Sequence, residues 1–494
     1  MLGIGLSMKL LSPLDLMIIV LYLAGITWIG ARFYRKDADL KEYLLGSNVM
    51  KWFPVALSIL ATDTSAITYL GSPAWAFQHD MKLSLGMLAC FFAVPIVIWL
   101  FLPVYSKGNL YTGYQYLEKR FDSRVRVIAS VFFLVVRGCH VAIVIYVPAL
   151  VMSELLHLPL KFSVLAIGAL TATYTSFGGI KAVIWTDTLQ VGVVFLGLGL
   201  LATSALGNVP GGLHEVWAIG QAHNKFELFD FSVNWSSVDN FWALIVGGTM
   251  IYVQGMSTDQ AILQKYFTTR SSRETTKALL LYIAVVMILV VLLSLLGVIL
   301  FVFYFHHPEI RATLQNPDAV VPHYAAKMLP HGLTGLVIAS ILAGSMSTVS
   351  ASINSLATST VLDIYQRFPR TPRSEQHYVR ASRWATLVWG MLATVGALYA
   401  PRLGTLVLAF TRVQSLMGGV ILGIFLLGVT NKQIGASEVI GGTVFGSASV
   451  VYCAVYTPVS MYWYSVIGCF STILFSWLCN RSGLLSAGGY LVKK

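Results

Sequence analysis

Residues 52–77 read WFPVALSILATDTSAITYLGSPAWAF. The stretch is long and apolar enough to lie in a bilayer, yet its middle carries Thr62, Asp63, Thr64, Ser65 and Thr68, and Gly71 and Pro73 follow. Hydrocarbon offers no water to a freed backbone group or a carboxylate. Such a segment persists only where it faces protein or a water-filled cavity. A span interrupted by polar residues at mid-membrane is where transporters hold an ion and its solute. The expectation is an interrupted helix near Asp63, with the other spans arranged around it.

The composition agrees with a membrane setting. The chain has 494 residues, of which 56% are hydrophobic and 11% charged, whereas soluble domains carry about 25% charge. Apolar runs are each long enough to span as a helix, and the short alternating strands of an outer-membrane barrel do not occur. This predicts an all-α polytopic membrane protein. The net charge of +12 sits in short connections between spans, which excludes nucleic acid as the expected partner and points to the lipid bilayer. Cys90, Cys139, Cys453, Cys469 and Cys479 lie in apolar runs without CxxC spacing, so neither disulfides nor a metal is expected. The first run follows a single Lys9 and lacks a small-residue cleavage site, which predicts a retained first span.

Apolar runs fall near 14–33, 51–78, 81–105, 125–155, 161–180, 186–206, 240–262, 277–304, 333–363, 383–401, 405–427, 435–455 and 461–480, thirteen in all. With the N-terminus outside, the inner connections hold Arg32, Arg35, Lys36 and Lys41, then Lys119, Arg120, Arg124 and Arg126. They continue with Lys265, Arg270, Arg273 and Lys277, then Arg367, Arg370, Arg373, Arg380 and Arg383, and the tail with Arg481, Lys493 and Lys494. The asymmetry predicts N-terminus out and C-terminus cytoplasmic. The longest connections, near 207–239 and 305–332, fall outside.

Within the second span, Ala61, Thr64, Ser65 and Thr68 recur at helical spacing and make one small, oxygen-bearing face. Hydroxyls and carbonyls at a helix break suit Na⁺; close helix packing is the competing reading. Asp63 lies off that face, so it points elsewhere or the helix unwinds there; an intramembrane carboxylate is a functional candidate by default. In the ninth span, Gly344, Ser347, Ser350 and Asn354 share one face, with Thr348, Ser352 and Ser355 beside it, a hydroxyl density beyond what packing needs. Asp187 either caps a helix after the Gly178-Gly179 turn or is a second carboxylate on the ion route. Gly247, Gly248 and Gly255 interrupt the seventh span before Ser257-Thr258-Asp259-Gln260, which suggests inverted halves. Arg137 and Arg412 lie in apolar runs; each pairs with an intramembrane carboxylate or attracts an anionic solute. His140, one turn from Arg137, is either a proton site or merely hydrogen-bonded.

The segments KEYLLGS, ATDTSAITYLGSPAWAF, GYQYLEKRFDSRVR, IVIYVPAL, GGIKAVIWTDTLQ, TDQAILQKYF, GSMSTVSASINS and LGIFLLGVTNK together resemble the sodium:solute symporter family, from about Leu14 to Asn480. The resemblance implies a leucine-transporter-type fold of two inverted five-helix repeats plus flanking helices. It implies Na⁺ between the second and ninth spans at Ala61, Thr64, Gly344, Ser347 and Thr348, with Asp63 near it. A second sodium in some members implies Asp187 and Ser350 as well as Ser347, but a position that is serine in those members aligns with Ala351. Solute contacts are implied at Ser65, Thr68, Arg137, His140, Gln254, Thr411 and Arg412. In sialic acid transporters the carboxylate-binding arginine aligns with His140, a departure here, while SAITYLGSP and IVIYVPAL resemble the monocarboxylate and multivitamin branch.

The resulting expectation is one membrane domain: first helix and loop at 14–50, inverted repeats at 51–206 and 240–427, and C-terminal helices at 435–480. It sits in a plasma membrane, as in a bacterial inner membrane, and imports a small organic solute with Na⁺, the solute carrying a carboxylate. Sugar or amino-acid symport with Na⁺, or proton coupling through Asp63 and His140, is the alternative. A membrane sensor would want a signalling domain, and the tail after Asn480 is too short for one. No nucleophile–base pair, metal cluster or phosphate loop argues for an enzyme.

Overall fold

The computed structural model describes residues 11–33, 39–108, 110–156, 158–314, 316–367, 373–400 and 406–482. Among them the chain is helical, and its one extended pairing is an isolated bridge between Met50 and Thr269. In chain order the main helices are α1 (Pro13–Arg32), α2 (Trp52–Asp63), α3 (Ala66–Gln78), α4 (Lys82–Ser106, with 3₁₀ and π turns) and α5 (Ser123–Leu156). Next come α6 (Leu160–Gly207), α7 (Gly248–Thr258), α8 (Gln260–Tyr266), α9 (Ser272–His306) and α10 (Leu333–Ser359). The last are α11 (Glu375–Ala397), α12 (Leu406–Thr430), α13 (Ala436–Tyr456) and α14 (Tyr462–Ser482).

Each of the thirteen expected stretches carries helix among the described residues. Among the described residues eight helices are long and apolar enough to cross a bilayer, and α2 with α3, bent by 59°, passes the same test when the pair is taken as one broken span. The expected long outer connections are not plain loops: Gly212–Ala222, Pro308–Arg311 and Val320–Met328 are short helices within them.

The break between α2 and α3 follows from local chemistry. Thr64 sits at φ −95°, ψ 89°, outside the helical region. Ser65 restarts the helix as its cap, its hydroxyl accepting from the Ile67 amide at 3.1 Å, which satisfies one donor that the break exposes. A second break separates α7 from α8, but not at the expected glycines: Gly247, Gly248 and Gly255 remain helical. The chain turns extended at Asp259 (φ −77°, ψ 118°), whose carboxylate accepts from the Ala261 amide at 2.8 Å. A carboxylate can hold a new helix start, whereas glycine supplies freedom without a partner.

Helix α6 runs through both its expected spans and is interrupted at Gly179, with φ 61° and ψ −169°. That conformation is nearly restricted to glycine, and a methyl group there would come within 2.8 Å of the Tyr43 carbonyl oxygen. Gly179→Ala is therefore expected to cost about 1–3 kcal/mol, read as a lower melting temperature in detergent; an unchanged melting temperature would contradict the strain argument. Asp187 lies well inside the helix beyond this turn, so it is no helix cap, contrary to one of its two sequence readings.

Helix α10 is buried along almost its whole length, packed against α2, α3, α5, α6 and α11. Its small residues allow the approach: a methyl at Gly344 would lie 3.4 Å from the Ala66 amide nitrogen. Asp15 pins the periphery to this core, accepting from the amides of Gly332 and Gly335 at 2.8 and 2.7 Å where α10 begins. Helices α1 and α13 turn mostly apolar side chains outward, Leu21, Trp28, Val444 and Val455 among them, a surface suited to hydrocarbon.

Candidate functional site

The interrupted helix α2–α3 lies directly against α10. The Ser347 hydroxyl donates to the Ala61 carbonyl at 3.0 Å and lies 3.1 Å from the Gly344 carbonyl. The Thr348 hydroxyl donates to the same Ala61 carbonyl at 3.0 Å, with the Gly344 carbonyl 3.3 Å away. The Thr64 hydroxyl is buried and has no hydrogen-bond partner. A void of about 10 Å³, lined in part by Leu60, Ala61, Thr64, Gln190, Gly344 and Ser347, opens between the two helices. That is room on the order of one water molecule. Of the five residues expected around the first sodium, Ala61, Thr64, Gly344 and Ser347 line this gap, and Thr348 adjoins it through its bond to the Ala61 carbonyl.

Asp63, the last residue of α2, faces a different space. Its carboxylate accepts from the Tyr282 hydroxyl at 2.6 Å and lines a cavity of about 130 Å³ together with Thr68, Ser72, Trp75, Tyr252 and Gln414. The Trp75 indole nitrogen is buried without a hydrogen-bond partner. Asp80 also lines the cavity, paired with Lys82 at 3.0 Å.

The expected solute residues are not all brought together. Thr68 and Thr411 line the cavity. Gln254 stands behind it, accepting from the amide of the lining residue Gln414 at 3.2 Å. Ser65 is used as the cap of α3. Arg137 is buried outside the lining: it pairs with Asp259 at 3.1 Å and donates to the Ser352 hydroxyl at 2.9 Å, leaving one guanidinium nitrogen without a partner. His140 is buried one turn further along α5, and Arg412 is exposed.

Two positions read from the sequence as solvated loop charges are internal. Arg126 is buried and pairs with Asp363 and Glu118, both at 2.6 Å, joining the start of α5 to the segment that follows α10. Lys265, on α8, is wholly buried. Its ammonium lies 3.0 Å from Asp187 and donates to the Ser58 carbonyl and the Thr62 hydroxyl. The Ser58 hydroxyl donates to the same Asp187 oxygen at 2.6 Å. The serine expected beside Asp187 at a second sodium, Ser350, instead donates to the Ser347 carbonyl at 3.0 Å. Sequence reasoning missed Lys265 and Tyr282. The available signal for Lys265 was that AILQKYF is mostly apolar, Gln264 apart, and follows directly on the broken segment.

Comparisons with known proteins agree with this architecture. The family model of the sodium:solute symporter family matches residues 43–446. The sodium/sialic acid symporter NanT of Aliivibrio fischeri is 31% identical over 92% of this chain and 91% of its own length. The sodium-coupled monocarboxylate transporter 2 of Danio rerio is 30% identical over 83% of this chain and 66% of its own. A solved Na⁺-coupled sialic acid symporter in a substrate-bound outward-open state superposes with a TM-score of 0.89 at 26% identity, covering 95% of this chain and 98% of that one. The nucleobase-cation-symport transporter Mhp1, at 14% identity and TM-score 0.56, shares the fold over 91% of this chain and 96% of its own. With a leucine-transporter-type fold and a family match over most of its length, this multi-pass membrane protein belongs to the sodium:solute symporter family and is a sodium-coupled symporter, a transporter and not an enzyme.

Proposed function

We propose that the chain imports a small carboxylate-bearing organic solute across a bacterial plasma membrane, with its N-terminus outside and C-terminus cytoplasmic. The observation that carries the sodium part is the gap lined by Ala61, Thr64, Gly344 and Ser347 and adjoined by Thr348, where carbonyl and hydroxyl oxygens gather among apolar neighbours such as Leu60 and Phe195. Sodium there bridges the interrupted helix to α10 and favours the outward-facing state; solute then completes the cavity and the two repeats rock. Each ligand acts through its different affinity for the two states, and the coupling is reciprocal. The Arg126–Asp363 pair ties the start of α5 to the segment that follows α10. The carboxylate is supported by the relatives named above and by the unpartnered nitrogen of Arg137.

One observation favours a second reading. The cavity lining contains Asp63 and Asp80 and, among the described residues, no arginine, which suits a hydroxyl-rich or amine-bearing solute such as a sugar or an amino acid. Uptake into proteoliposomes separates them, with monocarboxylates, sialic acid, sugars and amino acids offered with Na⁺ outside or with K⁺ in its place. Uptake of a carboxylate solute only with Na⁺ is expected. Uptake driven by low outside pH without Na⁺ would overturn the sodium reading.

Asp63→Asn retains the shape and an acceptor for Tyr282 but removes the charge on the chain neighbour of Thr64, which lines the ion gap. The expected result is an increase of several-fold in the Na⁺ concentration for half-maximal uptake. A sodium activation curve like that of the unaltered protein would remove Asp63 from the ion's surroundings.

A further inference from the structure

The contacts of Lys265 place a fixed cation on Asp187, the carboxylate that the family resemblance implies at a second sodium. The ammonium is wholly buried and has three oxygen neighbours: the Asp187 carboxylate at 3.0 Å, the Ser58 carbonyl and the Thr62 hydroxyl. A carboxylate, a carbonyl and a hydroxyl form the kind of oxygen shell that a bare alkali ion takes. Here the positive charge is tethered to α8 by the side chain. Asp187 keeps one oxygen without a partner, but its charge is already balanced. Ala351, on α10, offers no side-chain oxygen, and Ser350 turns its hydroxyl back to its own helix. A further monovalent cation would add uncompensated charge in a low-dielectric interior, which is strongly unfavourable.

We infer that the Lys265 ammonium is a built-in substitute for a second sodium, so that Lys265 sets the coupling ratio at one Na⁺ per transport cycle. The inference rests on the sodium-coupled reading above and adds the number of ions. It leaves Asp187 with a different role, tying α6 through Lys265 to the interrupted helix and to α8, at positions 187, 58, 62 and 265.

Equilibrium binding of radiolabelled Na⁺ to the purified full chain in detergent, without solute, tests the inference. The unaltered protein is expected to bind one Na⁺ per chain, and Ala351→Ser alone is expected to stay at one because the ammonium is still present. Lys265→Gln combined with Ala351→Ser removes the tethered charge, restores an oxygen and is expected to bind two. Because that variant can fail to fold, the uncharged pair Asp187→Asn with Lys265→Met is measured beside it, with size-exclusion monodispersity as the control. It is expected to retain one Na⁺ with affinity within about 3-fold, since Asp187 is not a ligand of the remaining ion. Two bound Na⁺ in the unaltered protein would overturn the inference and leave sodium coupling intact, as would loss of all Na⁺ from a monodisperse uncharged pair or a count of one in the Lys265→Gln, Ala351→Ser variant. No bound Na⁺ in the unaltered protein would remove the sodium-coupled reading and this inference with it.

Discussion

Thr348→Ala is expected to raise the Na⁺ concentration for half-maximal uptake by about 10- to 100-fold while the protein remains folded. The Thr348 hydroxyl is wholly buried and lies beside the Ala61, Thr62 and Gly344 carbonyls at 3.0, 3.4 and 3.3 Å. Here it acts as a donor to those carbonyls; in the proposed sodium-bound state its lone pairs would face the ion. Interactions of a polar group with a full charge are worth about 1.5–3 kcal/mol, and each 1.4 kcal/mol is a factor of ten in affinity. The fold loses less, because the Ala61 carbonyl keeps the Ser347 hydroxyl as a donor at 3.0 Å. Thr348→Ser restores the oxygen and is expected to recover most of the affinity. Sodium activation unmoved by Thr348→Ala would exclude this gap as the ion site. A matching loss of melting temperature without Na⁺ present would identify Thr348 as a packing residue instead.

Arg137→Met is expected to destabilise the protein by about 3–5 kcal/mol, the typical result of leaving one member of a buried ion pair alone. The stranded group is Asp259, which both caps α8 and pairs with Arg137 at 3.1 Å. Combining Arg137→Met with Asp259→Asn removes both charges and preserves a capping side chain, so monodispersity and melting temperature should largely return. The double variant then separates structure from recognition. If the spare guanidinium nitrogen meets the solute, uptake of a carboxylate solute stays reduced at least 10-fold while a neutral analogue is moved nearly as before. Equal recovery for both solutes would assign Arg137 to the ion pair alone and leave the acidic cavity lining as the better guide to the solute.

The interruption at Asp63, Thr64 and Ser65 was legible because polar residues in a bilayer-length run have few structural solutions. The spacing of Gly344, Ser347 and Thr348 put them close together on one helix surface, and the family resemblance implied that this surface meets the interrupted helix. The fates of charges near span ends were less legible. Arg126 and Lys265 fit a loop at an inner face as well as a buried pair, since the same local sequence permits either. The break in the seventh span was expected near its glycines, but Asp259 took that role because its side chain could satisfy the amides of the helix that follows.

The sequence by itself determined a helical membrane protein, the location of its first broken span and an oxygen-bearing face on each of the second and ninth spans, because periodicity and hydrophobic length are local properties of a chain in lipid; that the two faces meet was implied only by the family resemblance, and the tertiary structure brings them together. Tertiary structure decided which charges neutralise one another: Lys265 with Asp187, Arg137 with Asp259, and Arg126 with Asp363. These pairs join residues 78 to 237 positions apart. Whether a cation goes to water or folds inward depends on a carboxylate that only the assembled helices bring within 3.1 Å or less, and no local pattern encodes that distance.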